Sequence, residues 1–194
     1  MRLRPLSFAL AVLIATSACQ KQEPTAPGDA PTATQASTAE ADAKFADLSK
    51  RWLDGWLEQQ PVSATQTGKH DFDDRIEDLS AAGRQKFVDF SRQMLTELDA
   101  LDASKLSREN QVDVAILRNQ IRYDIWQVET LQSWAWDPQL YNAIGGGALY
   151  TLMARDFAPM PQRLKSATAR MEKIPTLMAQ MRENLDPARV PKIH

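Results

Sequence analysis

Residues Gln111 to Leu164 read QVDVAILRNQIRYDIWQVETLQSWAWDPQLYNAIGGGALYTLMARDFAPMPQRL. Val114, Leu117, Ile121, Ile125 and Val128 recur at three- and four-residue spacing, which predicts a helix with one continuous apolar stripe. Val112, Ile116, Tyr123 and Trp126 give it a second apolar side, and a helix apolar on two sides is expected at the centre of a core. Ser107 is its expected N-cap. The turn SWAWDP stops it, because Asp137 before Pro138 disfavours helical backbone. Gly145, Gly146 and Gly147 come next, with a helix expected from about Ala148. A glycine run ahead of a helix can cradle phosphate, but no strand precedes it and no Lys-Ser/Thr pair follows. Close helix packing or a flexible joint is the better reading.

Outward from this stretch the pattern stays helical. Phe45, Leu48, Trp52 and Trp56, widened by Leu53 and Leu57, mark a helix over residues 41–60. Pro61 opens a short helix that Gly68 ends. Ser80 caps a helix to about Asp102 whose buried face is Phe87, Phe90, Met94, Leu98 and Leu101. From Pro161, a seam of Leu164, Ala167, Met171, Ile174, Met178, Met181 and Leu185 predicts a helix kinked at Pro175. No segment alternates as a strand would, although a small hairpin fits around residues 132–145. The expected fold is all-α, an antiparallel array of five or six helices with short links.

The start of the chain reads as an export signal. Arg2 and Arg4 precede the apolar run Leu6 to Thr16, which is shorter than the roughly 20 residues that a permanent span needs. Small residues then lead to Cys19, the one cysteine. The run resembles a bacterial lipobox, with cleavage before Cys19 and acylation of its thiol, although Thr16 stands where Leu is commoner. The expected organisation is a signal peptide over 1–18, a disordered Pro- and Thr-rich tether over 19–39 and a helical region over 40–194. Gln20 in place of a retention aspartate favours the outer membrane on its periplasmic side. A membrane partner through the lipid on Cys19 follows.

Composition excludes several classes of function. The 194 residues are 43% hydrophobic and 25% charged with a net charge of -2, which is ordinary for a folded protein and offers nothing for nucleic acid. His70 and His194 are the two histidines, too few for a histidine-based metal site or triad. In the acidic loop GKHDFDDRIED, Asp71, Asp73 and Asp74 fail the calcium-loop pattern, because Arg75 and Ile76 stand at its fifth and sixth positions. A turn held by Asp side chains and Arg75 is expected there. Asp54, Glu58, Glu129 and Asp156 fall on helices as solvated faces or salt bridges.

The runs ATQTGKHDFDDR (64–75), QVDVAILRNQIRYDIWQVETLQSWAWDP and RMEKIPTLMAQMRENLDPARVPKIH resemble the start of a bacterial lipoprotein family, domain of unknown function 885. That resemblance implies an exported, mostly helical protein several times longer than this chain. It also implies a zinc-peptidase-like site, with an H-E-x-x-x-G-H type motif in a far C-terminal half. No H-E pair occurs here, so this chain is expected to carry no cofactor itself, zinc belonging to the full-length form. It is expected to end early and to be the N-terminal helical part of a hydrolase, one wall of a peptide-substrate cleft and inactive alone. The alternative is a non-catalytic binding or scaffold lipoprotein. His70, Trp136, Tyr141 and Arg155 are the candidate cleft-facing residues.

Overall fold

The computed structural model describes residues 33–192. The signal peptide, Cys19, the tether as far as residue 32, and His194 lie outside the described residues. Within them the all-α expectation holds, and no strand occurs. Seven α-helices follow one another: α1 (Ala33–Gln59), α2 (Pro61–Thr67), α3 (Ala81–Asp99), α4 (Arg108–Trp126), α5 (Pro138–Met153), α6 (Met160–Met171) and α7 (Ile174–Asn184). α1 begins eight residues before the expected residue 41, so residues 33–39, assigned to the tether, are helical.

The helix ends follow capping chemistry. Ser80 accepts from the Gly83 amide at 3.1 Å and Ser107 from Asn110 at 3.4 Å, as the sequence predicts. Asp137 accepts from the Gln139 amide at 2.9 Å, with Pro138 opening α5. Gly68 closes α2 at φ 93°, a left-handed position that glycine adopts without steric cost. α4 does not stop at Trp126. It widens into a π-turn, Gln127–Leu131, and Gln132 then reverses the chain at φ 53°, a strained value for a side-chain-bearing residue.

Two packing groups result. α1, α3 and α4 enclose a core of Phe45, Leu48, Met94, Leu98, Leu106, Val114, Leu117 and Ile121. α5 packs against α2, α6 and α7. The second apolar side of α4 is not core: Val112, Ile116, Tyr123 and Trp126 are 44%, 62%, 49% and 44% exposed. The Val114–Leu117–Ile121 stripe, continued by Ile125, meets the core, because α1 and α3 both approach from that side.

Three further expectations change. The glycines lie inside α5 rather than before it, and the expected hairpin region is a 3-10 turn followed by that helix. A Cβ at Gly147 would sit 3.2 Å from Val62 Cγ1, so a small residue there lets α5 lie close on α2. Beyond Pro161 the chain forms two helices instead of one kinked rod. Pro175 cannot donate to a carbonyl one turn back, and it takes the first turn of α7 instead. The inward face of α6 is also one step off the apolar seam: Arg163, Ala167 and Arg170 are buried while Leu164 and Met171 are exposed.

Those arginines bind backbone. Arg163 caps the C-terminal end of α5 by donating to the carbonyls of Met153 at 3.2 Å and Arg155 at 2.7 Å, and it pairs with Asp156 at 2.6 Å. Arg170, fully buried, donates to the carbonyls of Arg75 (2.8 Å), Ala148 (2.9 Å) and Pro61 (3.1 Å) and to the Thr65 hydroxyl (2.6 Å). One guanidinium thereby ties α2, the 68–79 loop, α5 and α6 together, since its planar fork of donors reaches carbonyls on several elements at once.

Candidate functional site

A cavity of about 420 Å³ opens where the two packing groups meet, within the size range of small-molecule sites. α1 supplies Trp56, α3 supplies Arg84 and Phe87, the end of α4 supplies Tyr123, Asp124 and Gln127, and Trp134 closes one side. The loop ahead of α3 contributes Glu77. Gln127, where the π-turn begins, stands three residues after Asp124, a spacing that keeps both on one side of the helix.

Asp124 is only 7% exposed. Its Oδ1 accepts from Gln120 Nε2 at 2.8 Å, whereas Oδ2 makes no close hydrogen bond, the Trp56 indole being a second, weaker donor to the carboxyl. Burial pushes its carboxyl up to about 6, against which the hydrogen bonds from Gln120 and Trp56 pull down only in part. Glu77 is 6% exposed. Its Oε1 accepts from the Val62 amide at 3.1 Å, capping the first turn of α2, and its Oε2 is unpartnered. Burial raises its pKa as well, despite backbone hydrogen bonds and the nearby Arg170. Gln127 donates to the Tyr123 hydroxyl at 2.7 Å while its Oε1 is buried and unpaired. Each buried, unsatisfied acceptor costs about 1–3 kcal/mol, more when charged. Arg84 lies over the Trp134 ring at 3.7 Å and donates to Leu79 O and Asn184 Oδ1.

The four residues singled out in the sequence fall in two pairs. His70 Nδ1 lies 3.0 Å from Asp73 Oδ2, and its ring stacks on Phe157 at 3.7 Å. Arg155 donates to the Gln66 carbonyl at 2.8 Å, joining the same junction between the end of α2 and the α5–α6 loop. Trp136 donates to Leu131 O at 2.9 Å. Tyr141, fully buried, donates to Trp134 O at 2.7 Å and accepts from Asn184 Nδ2 at 3.0 Å. None of the four lines the cavity.

Asp54, Glu58, Glu129 and Asp156 form ion pairs with Lys50, Arg75, Arg92 and Arg163. Asp73 holds the acidic loop by accepting from Thr65 Oγ1 at 2.6 Å. Among the described residues, no three His, Cys, Asp or Glu side chains come together as metal ligands. No described helix is long and apolar enough to cross a membrane.

Sequence reasoning missed Asp124, Glu77 and Gln127. A signal existed for Asp124, because it stands three residues after Ile121 on the buried stripe. A carboxylate there must be buried or must break the helix's register.

Residues 61–194 match the model of a family described as bacterial protein of unknown function, DUF885. The chain belongs to this family. A solved structure from Shewanella oneidensis, described as a candidate lipoprotein of unknown function, superposes with a TM-score of 0.69 at 32% identity over 73% of this chain. The match spans 26% of that protein's length, so this DUF885 chain corresponds to about a quarter of its relative. No curated protein matches it.

Proposed function

We propose that this chain is the N-terminal helical part of an exported, lipid-anchored hydrolase of the zinc-peptidase kind, held in the cell envelope through Cys19. Its share of the work is to bind substrate rather than to react with it. The observation that carries this reading is the cavity: aromatic walls with buried, unpartnered acceptors from α4 and the loop before α3. The relative's greater length leaves room for a reacting centre elsewhere, and its description as a candidate lipoprotein supports the anchor.

The test is the membrane fraction of the source cells. The account expects a lipid-labelled species several times heavier than 21.8 kDa that cleaves peptides and loses that activity to a zinc chelator. Cys19→Ser should release it from the membrane. A lipidated species near this chain's own mass, with no hydrolysis, would sink the hydrolase reading. It would leave a helical binding or scaffold lipoprotein, which the self-contained core of α1, α3 and α4 favours.

A further inference from the structure

We propose that the cavity binds an organic carboxylate carried on an apolar or aromatic body, held by the side-on edge of the Arg84 guanidinium. This rests on reading the cavity as a binding site, and not on hydrolysis.

Arg84, Leu79 and Trp134 all line the cavity, and the Arg84 guanidinium lies over the Trp134 ring at 3.7 Å. Its Nη1 donates to Leu79 O at 2.6 Å and to Asn184 Oδ1 at 2.8 Å, which uses both hydrogens of that nitrogen. Asn184 is itself fixed, its Nδ2 donating to Leu79 O at 2.8 Å and to the Tyr141 hydroxyl at 3.0 Å. The stack and the two bonds set the plane of the guanidinium. Nε and Nη2 form its remaining, side-on edge. Among the described residues they have no hydrogen-bond partner, and neither is one of the unpartnered polar atoms shut off from water. That edge is therefore a rigid pair of donors open to water, and two parallel N–H···O bonds to a carboxylate are what such an edge makes best.

Charge selects the same ligand. The groups bonded to Arg84 are neutral, and burial lowers its pKa, against which Tyr141 and Asp78 pull only in part. An anion on the open edge offsets that cost of burying a cation. The acids of the lining do not fill the place. Glu58 pairs with Arg75 at 3.5 Å. Asp78 acts on Arg84 without an ion pair to it, and its Oδ1 accepts from the Ser80 amide at 3.0 Å and from Gln180 Nε2 at 2.8 Å. Glu77 and Asp124 are buried with their unpartnered oxygens closed to water, and burial pushes both towards the neutral form. Lys86, exposed on α3, adds a second positive charge to the lining. Trp56, Phe87, Leu140 and Ile144 supply apolar wall for the body of the ligand.

The carboxylate has two sources, the C-terminus of a peptide and a free organic acid, and the probes separate them. N-acetyl-alanyl-phenylalanine, its C-terminal amide and 3-phenylpropionate are each titrated into the full chain by calorimetry, with NMR of the Arg84 Nε–H and the Trp134 indole N–H. The expected result is binding of at least one acid with a shift at both signals, and affinity weaker by roughly tenfold or more for the amide. Tighter binding of the peptide acid names a peptide C-terminus; tighter binding of 3-phenylpropionate names a free acid. Arg84→Lys keeps the charge and loses the fork, and should weaken the acids by roughly tenfold while leaving the amide unchanged. Equal or tighter binding of the amide would overturn the proposal. So would no binding by any probe, or a folded Arg84→Lys chain that binds the acids unchanged. Should Arg84→Lys fail to fold, the parent's own Arg84 Nε–H decides: acid binding that leaves it unmoved overturns the proposal as well. Acid binding in a protein whose native form cleaves no peptide would refute the hydrolase and leave this site standing.

Discussion

Replacing Asp124 by Asn should stabilise the protein at neutral pH. The shape is kept, and the Gln120 donor retains an oxygen to bind. What disappears is the charge. Burial holds the folded carboxyl at about 6 instead of 3.8, so between those values the unfolded chain ionises first and stability falls as pH rises. The penalty is complete above pH ~6 and absent below ~4. At 1.36 kcal/mol per pH unit it would approach ~3 kcal/mol, and screening at the cavity mouth reduces that to about 1–2 kcal/mol. For a chain of this size that raises Tm by roughly 2–8 °C. Thermal unfolding of both proteins at pH 7.5 and at pH 4 measures it: a gain at 7.5 that closes at 4 is expected. A loss of stability at both values, or a gain of the same size at both, would refute the desolvation argument.

Other perturbations separate packing from binding. Arg170→Met removes donors from four backbone carbonyls and Thr65 and deprives Asp73 and Glu77 of their nearby cation; urea unfolding should show a loss of about 3–5 kcal/mol. Arg170→Lys should recover little of it, since one ammonium cannot span carbonyls on several elements. Gly83→Ala would drive a Cβ into the Asp78 carbonyl, and a loss of about 1–3 kcal/mol is expected in the same assay. Tyr141→Phe leaves Trp134 O without its donor and should cost about 1–3 kcal/mol. Ile116→Ser, on the exposed side of α4, should change stability by no more than about 0.5 kcal/mol.

The helices were legible because burial imposes a period on the sequence, and Ser80, Ser107 and Asp137–Pro138 mark their ends by local chemistry. What could not be read was which of two apolar sides meets a neighbour. On α4 both sides carry large residues, and only the positions of α1 and α3 decide that Ile121 is buried and Ile116 is not. On α6 the apolar seam pointed to Leu164 and Met171, yet guanidinium groups at Arg163 and Arg170 turn the helix the other way by capturing carbonyls from distant segments. The cavity was hidden for a related reason. Its acceptors come from α4 and a loop some 47 positions apart, 124 against 77, and an unpaired oxygen is a property of the packed neighbourhood rather than of any spacing. The candidate residues chosen by type, His70 and Tyr141 among them, turned out to be joined to backbone or neighbouring side chains.

The most direct test is an NMR titration of the Asp124 side-chain carboxyl. A midpoint near 6 is the predicted result, because burial disfavours the charged form. A midpoint near the ordinary 3.8 would mean an open, water-solvated carboxylate, and would contradict the account of Asp124 as a buried carboxyl beside the cavity.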